Sequence, residues 1–114
     1  MAIHFLHLNP EALEYIRSGQ KTIENRLFDE KRRTYKVGDS LFFISTANAD
    51  DLVEAVIIKL HKERSFRELF LNKNTIGKYS TPSTNELLDR VSLFYSEKDQ
   101  EKYGVVGIEF QLIK

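Results

Sequence analysis

Residues 19–26 read Gly-Gln-Lys-Thr-Ile-Glu-Asn-Arg. They follow a short segment with helical spacing, and Gly19 is the residue type that often ends a helix in a left-handed conformation. If a strand comes next, Glu24 and Arg26 point to one face, because side chains alternate with a period of two. Lys21 has the opposite parity, so it joins that face only if the chain bends near the glycine. Together the three charged groups can read a polar ligand or assist a proton transfer.

The same charges also have a simpler interpretation. Charge clusters are common on solvated strands, where an exposed ion pair is worth about 0–1 kcal/mol. Spacing alone leaves both interpretations open. They differ in whether Lys21, Glu24 and Arg26 meet in one pocket.

Length and composition favour one globular domain that spans residues 1–114. The chain is 41% apolar and 30% charged, which is ordinary for a soluble protein with a single core. It contains no cysteine, so disulfides and thiolate chemistry are excluded and a reducing compartment is expected. The N-terminus lacks the apolar run of a signal peptide, and no segment could span a bilayer. We therefore expect a cytoplasmic protein without a membrane partner.

The charge distribution favours a small nucleic-acid footprint over a long one. The formal net charge is zero, whereas proteins that hold long nucleic acids usually carry a basic field. Residues 21–36 have a local excess of basic residues, namely Lys21, Arg26, Lys31, Arg32, Arg33 and Lys36. If a nucleic acid binds, we expect a nucleotide or a single unstacked base near one site. The Lys31-Arg32-Arg33 run could bind phosphate or form a solvated loop tip.

The sequence pattern predicts an α+β fold with five strands and late helices. Strands are expected at 3–8, 22–28, 41–46, 52–61 and 106–112, and helices at 10–18, 65–71, from 83 to about 95, and within 96–103. Ser65 with Glu68 and Ser83 with Glu86 form capping boxes. The apolar stripe of the third helix consists of Leu87, Leu88, Val91, Phe94 and Tyr95. Segment 29–36 is expected to be a charged loop and segment 72–81 irregular. The irregular alternation of strands and helices suits a small barrel.

Three motifs in order resemble the ASCH family, the activating-signal-cointegrator homology domains. The family is marked by Gly-x-Lys-x-x-Glu-x-Arg after the first helix, as in residues 19–26. Val37-Gly38-Asp39 then leads into a strand, and Tyr103-Gly104-Val105 opens the last strand. The resemblance covers nearly the whole chain. It implies a PUA-like β-barrel of about five or six strands, with helices packed around a cleft that the family's residues line.

The resemblance also implies that the cleft binds RNA or a nucleotide, whether modified or not. Lys21 and Arg26 would supply positive charge, and Glu24 would accept a hydrogen bond from a base or ribose. Tyrosines could stack a base. The candidate ligand-binding residues are Lys21, Thr22, Glu24, Arg26, Ser45, Tyr79 and Tyr103.

An enzyme in the same cleft is the alternative. One branch of small ASCH proteins removes the acetyl group from N4-acetylcytidine with a lysine and a threonine in a Lys-Thr-Ile-Thr-x-Arg stretch. This chain keeps Lys21 but has Glu24 at the position of that threonine. Glu24 could then act as a general base towards water while Lys21 stabilises the oxyanion. Other ASCH proteins have been linked to RNA cleavage. A surface that only binds other proteins is a third alternative, but it does not account for the charged octapeptide.

No metal or cofactor is expected. His4 and His7 are three apart in a predicted strand and point to opposite faces, and His61 is alone. The chain also lacks a glycine-rich phosphate loop and a Gly-x-Ser-x-Gly elbow.

Overall fold

The computed structural model describes residues 1–79 and 83–113. The strands are β1 (Ile3–Leu8), β2 (Ile23–Leu27), β3 (Ser40–Ser45), β4 (Leu52–Glu63) and β5 (Val105–Leu112). The helices are α1 (Pro10–Arg17), α2 (Glu30–Arg33), α3 (Phe66–Leu71), α4 (Thr84–Ser92) and α5 (Glu97–Tyr103). Within those residues no helix is both long enough and apolar enough to cross a membrane. All five predicted strands are present, with ends that shift by a residue or two.

The five strands form one curled sheet in the order β1-β3-β4-β5-β2. β1 runs parallel to β3, and the other three pairs are antiparallel. A register shift between Ile57 and Lys59 interrupts β4, and such bulges increase the local twist of a sheet. The predicted α+β fold is therefore confirmed, as a half-barrel whose edges in the described chain are β1 and β2.

The main core fills the concave side of this sheet. Its buried residues are Leu6, Leu8, Leu13, Ile16, Tyr35, Leu41, Phe43, Ala55, Ile57, Val106, Ile108 and Phe110. α1 begins at Asn9, whose side chain accepts a hydrogen bond from the Ala12 amide at 2.8 Å, and its Leu13 and Ile16 are fully buried. α1 thereby closes one side of the hollow.

A second core lies on the opposite side of the sheet. Phe66, Leu69 and Phe70 of α3 and Leu87 of α4 are buried there together with Val105 of β5. Both helices begin at the predicted caps, because Ser65 accepts from the Glu68 amide and Ser83 from the Glu86 amide, each at 3.2 Å. On this side α3 therefore packs on β4 and β5, and α4 packs mainly on α3.

Two predicted features differ from the structure. Segment 29–36 contains α2, because the side chain of Asp29 accepts from the Arg32 amide at 3.1 Å and caps a short helix. Phe94 was assigned to a core stripe, but α4 ends at Ser92 and the Phe94 side chain is 74% exposed. Segment 72–79 consists of turns, and residues 80 and 81 of the predicted irregular segment lie outside the described residues.

Candidate functional site

Strand β2 directs charged side chains into the hollow of the half-barrel. Glu24 pairs with Ile108 and Arg26 with Val106 across the β2–β5 ladder. Residues directly opposite each other in an antiparallel pair point to the same face, and Ile108 and Val106 belong to the concave core. Glu24 and Arg26 therefore occupy the concave face at the edge of the sheet, where the apolar core ends.

Lys21 and Arg26 hold Glu24 from two sides. Glu24 is 4% exposed, and its Oε1 accepts from the Lys21 Nζ at 2.7 Å. Its Oε2 accepts from Nη2 and Nε of Arg26 at 2.9 Å and 3.2 Å. Gly19 adopts a positive φ of 83°, and the chain bends there before β2 begins, so Lys21 reaches the carboxylate despite its parity. The burial of Glu24 rules out the solvated-strand interpretation.

Mutual electrostatic stabilisation keeps this cluster charged. Burial raises the pKa of Glu24, but the charges and hydrogen bonds of Lys21 and Arg26 outweigh it, so the pKa lies below its ordinary value. Burial lowers the pKa of Arg26, and the charge of Glu24 outweighs that effect and raises it. At neutral pH the cluster holds two cations and one anion.

The cluster opens into a cleft of about 850 Å³. One side of the cleft is lined by Lys21, Glu24 and Arg26 together with Tyr15 of α1. Another side is lined by residues of α4 and of the segment after it, namely Leu87, Arg90, Val91, Leu93, Phe94 and Tyr95. Small-ligand sites commonly have volumes of about 300–1,000 Å³. The cleft is therefore large enough for a nucleotide-sized molecule.

Four of the seven predicted ligand residues line this cleft: Lys21, Glu24, Arg26 and Tyr79. The Tyr79 hydroxyl donates to Asn25 Oδ1 at 3.2 Å, and burial raises the pKa of Tyr79. These residues bring two cations, a carboxylate and an aromatic ring to one cavity.

The other three predicted ligand residues lie outside the cleft as the described residues define it. The Thr22 hydroxyl donates to the Lys78 carbonyl at 3.4 Å. Ser45 is buried, and its Oγ accepts from the Ala47 amide at 3.1 Å. Tyr103 ends α5, where the Lys102 Nζ lies 5.1 Å from its ring centroid. Their side chains make local structural contacts instead.

Several residues that line the cleft were not among the predicted ligand-binding residues. The cleft is also lined by Asn25, Thr46, Lys78, Arg90 and Phe94. Asn25 lies inside the octapeptide, so its position in the motif could have indicated that it lines the cleft. Arg90 and Phe94 are four residues apart, which places them on the same side of a helical turn, but apolar periodicity assigned Phe94 to the core.

The comparisons with known proteins agree with this fold. PH0355, known from a crystal structure, is 33% identical, with a TM-score of 0.82 over 97% of this chain and 99% of its own. PF0455 from Pyrococcus furiosus, known from a solution NMR structure, is 32% identical, with a TM-score of 0.74 over 98% of each chain. The ASCH protein from Zymomonas mobilis is 17% identical, with a TM-score of 0.55 over 94% of this chain and 65% of its own, a likeness of fold alone.

Among curated proteins, none matches this sequence. The family model for the ASCH domain matches residues 6–114, which include the octapeptide, the whole sheet except the first residues of β1, and all the helices. This match covers far more than half of the chain, so the protein belongs to the ASCH domain family.

Proposed function

We propose that this protein binds RNA or a nucleotide, including a modified one, in the cleft above Glu24. The observation that carries the proposal is the buried carboxylate bonded on both oxygens by Lys21 and Arg26. A buried charge is costly unless it is paired, so Glu24 holds both cations in fixed positions. Glu24 thereby acts mainly as a positioning residue for the two donors.

Lys21 and Arg26 keep donors beyond those that bond Glu24. An ammonium has three N–H groups and a guanidinium has five, and the contacts with Glu24 use one and two of them. The two side chains line the cleft and remain 27% and 18% exposed. Their remaining donors suit the phosphate oxygens, carbonyl oxygens and ring nitrogens of a nucleotide.

Family membership and overall charge support a ligand of this class. The resemblance to ASCH domains implies RNA or nucleotide binding, and the zero net charge favours a small footprint. Aromatic and amide side chains, among them Tyr15, Asn25 and Tyr79, add groups that can stack on a base or bond its edge. The cleft volume matches one nucleotide rather than a duplex groove.

The contacts of Glu24 favour binding over hydrolysis of acylated nucleosides or RNA. A general base works best when its pKa lies near the operating pH. The two cations instead hold the pKa of Glu24 below its ordinary value, and both of its oxygens already accept hydrogen bonds. A water molecule would have to compete with Lys21 and Arg26 for the carboxylate.

Calorimetric titration tests the proposal. Nucleoside monophosphates and short single-stranded RNA should bind the wild type at low salt, and affinity for RNA should fall as salt rises. Lys21→Ala removes one charged hydrogen bond and should weaken binding about tenfold or more. Lys59→Ala, at an exposed lysine outside the cleft, is the matched control and should bind like the wild type. Absence of binding to every nucleotide and RNA at low salt would refute the proposal.

A further inference from the structure

We propose that a single unstacked base docks against the end of α4, where Phe94 stacks on the base and Arg90 contacts its phosphate. We call Arg90 and Phe94 the α4 wall. This inference rests on the proposed function, because it names how the same cleft recognises its ligand. It adds a specificity-determining surface that lies far along the chain from the octapeptide.

Backbone hydrogen bonds fix the α4 wall beside the cleft. The Leu93 amide donates to the Arg90 carbonyl at 3.3 Å, and the Phe94 and Tyr95 amides donate to the Val91 carbonyl at 3.0 Å and 2.9 Å. These bonds continue the helical turn past Ser92. Because side chains four residues apart on such a turn are neighbours, Arg90 and Phe94 can face the same ligand, and both line the cleft.

Phe94 lies in solvent although its neighbour is packed. The Tyr95 ring lies 5.4 Å from that of Phe66, between centroids, in the second core, whereas Phe94 is 74% exposed. Leu93, which also lines the cleft, is 79% exposed. A large apolar group that remains exposed beside polar groups is typical of a binding site. A flat ring at the rim of a cleft with cations matches the aromatic face of a base.

Arg90 differs from the other basic residues of the cleft. Lys21 and Arg26 bind Glu24, and the Lys78 Nζ binds Glu109 at 3.1 Å. Within residues 1–79 and 83–113, Arg90 is the cleft-lining lysine or arginine whose side chain has no carboxylate partner. An exposed guanidinium can bind two phosphate oxygens at once. Arg90 is therefore suited to the phosphate of a base that stacks on Phe94.

The size and charge of the site favour one base over other occupants. A volume of about 850 Å³ accommodates a base with its sugar and phosphate. Unstacked bases are commonly recognised by aromatic rings together with arginine. A protein partner or a second copy of this chain would also cover Phe94, but neither would need the adjacent cluster of Lys21, Glu24 and Arg26.

A fluorescent reporter tests the stacking directly. The chain has no tryptophan, so Phe94→Trp introduces a single indole at the α4 wall. We expect AMP and adenosine to quench its fluorescence by stacking, whereas ribose 5-phosphate, which has no base, should not. Phe94→Ser should weaken AMP binding roughly 5- to 100-fold in calorimetry. The matched control Leu71→Ser replaces an exposed apolar residue outside the cleft and should leave AMP binding unchanged.

The contribution of Arg90 is measured by comparing two ligands. Arg90→Gln should weaken AMP binding about 2- to 5-fold, because the cation is exposed, and should leave adenosine binding unchanged. Arg67→Gln, at an exposed arginine of α3 outside the cleft, should affect neither ligand.

The outcomes separate this inference from the function on which it rests. If the wild type binds AMP and Phe94→Ser binds it equally well, the α4 wall is refuted while nucleotide binding stands. If Phe94→Ser instead abolishes self-association in size-exclusion chromatography with AMP binding intact, Phe94 is a protein contact and the inference is wrong. If the wild type binds no nucleotide, both proposals fail.

Discussion

At the level of single residues, the site depends on one buried carboxylate. Glu24 is nearly inaccessible to water and is stabilised only because Lys21 and Arg26 bond both of its oxygens. Removing one partner of a buried ion pair costs more than the pair contributes, because the remaining charge loses its compensation. The cluster therefore links the stability of the fold to the geometry of the cleft.

Arg26→Ala should destabilise the protein as well as weaken binding. We expect the free energy of unfolding to fall by about 3 kcal/mol. This value is at the lower end of the range for a broken buried ion pair, because Lys21 still pairs with Glu24. Arg17→Ala is the matched control, since the Arg17 side chain bonds Glu14 and Asp51 at the surface and its removal should cost about 0.2–1 kcal/mol. Urea denaturation measures both variants. Equal losses in the two variants would show that Arg26 makes no more than a surface contact.

Part of this site could be predicted from the sequence. The two-residue spacing of Glu24 and Arg26 predicted a shared face. For Lys21 the spacing set only a condition, a bend near Gly19, which the structure meets. The burial of Glu24 could not be predicted, because it depends on the pairing of β2 with β5, which comes from a distant part of the chain. Phe94 was missed for the opposite reason. Its apolar period matches a core stripe, but past the end of α4 it is Tyr95 that packs on the second core, while Phe94 stays exposed at the cleft.

At the level of elements, local signals predicted most helix starts but not the pairing of strands. Asn9, Ser65 and Ser83 cap helices as their sequence positions indicate. The cap at Asp29 was overlooked because the following residues are all charged and show no apolar period. The parallel pairing of β1 with β3 depends on contacts between distant parts of the chain, so periodicity could not reveal it. The half-barrel and its open side follow from that pairing.

Gly104 joins α5 to β5, and we expect it to tolerate no side chain. Its φ is +71° with a ψ of −174°, a conformation that is essentially restricted to glycine, and a Cβ there would lie 3.2 Å from the Glu63 carbonyl oxygen. Gly104→Ala should cost about 2–3 kcal/mol of unfolding free energy. Gly77→Ala is the control and should cost about 1 kcal/mol, because Gly77 also has a positive φ but no described residue other than its chain neighbours lies within 4 Å of an added Cβ. Equal losses of unfolding free energy for the two variants, in thermal or urea unfolding, would contradict a close backbone contact at Gly104.

At the level of the whole molecule, a half-barrel with zero net charge carries the candidate site at the charged end of its hollow. The hollow is apolar where strands β3, β4 and β5 meet α1, and it becomes charged at β2. α3 and α4 pack on the opposite face, yet the end of α4 reaches the rim of the cleft. Both proposals therefore predict that recognition depends on side chains from two distant segments, the octapeptide and α4.

The central claim is that a nucleotide or RNA binds in this cleft, and amide chemical-shift mapping tests it most directly. A ¹⁵N-labelled sample is titrated with AMP and then with a short single-stranded RNA. We predict that the largest shifts occur in residues 20–26 and 90–95, and that Lys21→Ala reduces them. Saturable shifts confined to another surface, such as the exposed Ile3, Phe5 and Leu52 of β1 and β4, would contradict the account, as would the absence of any shift.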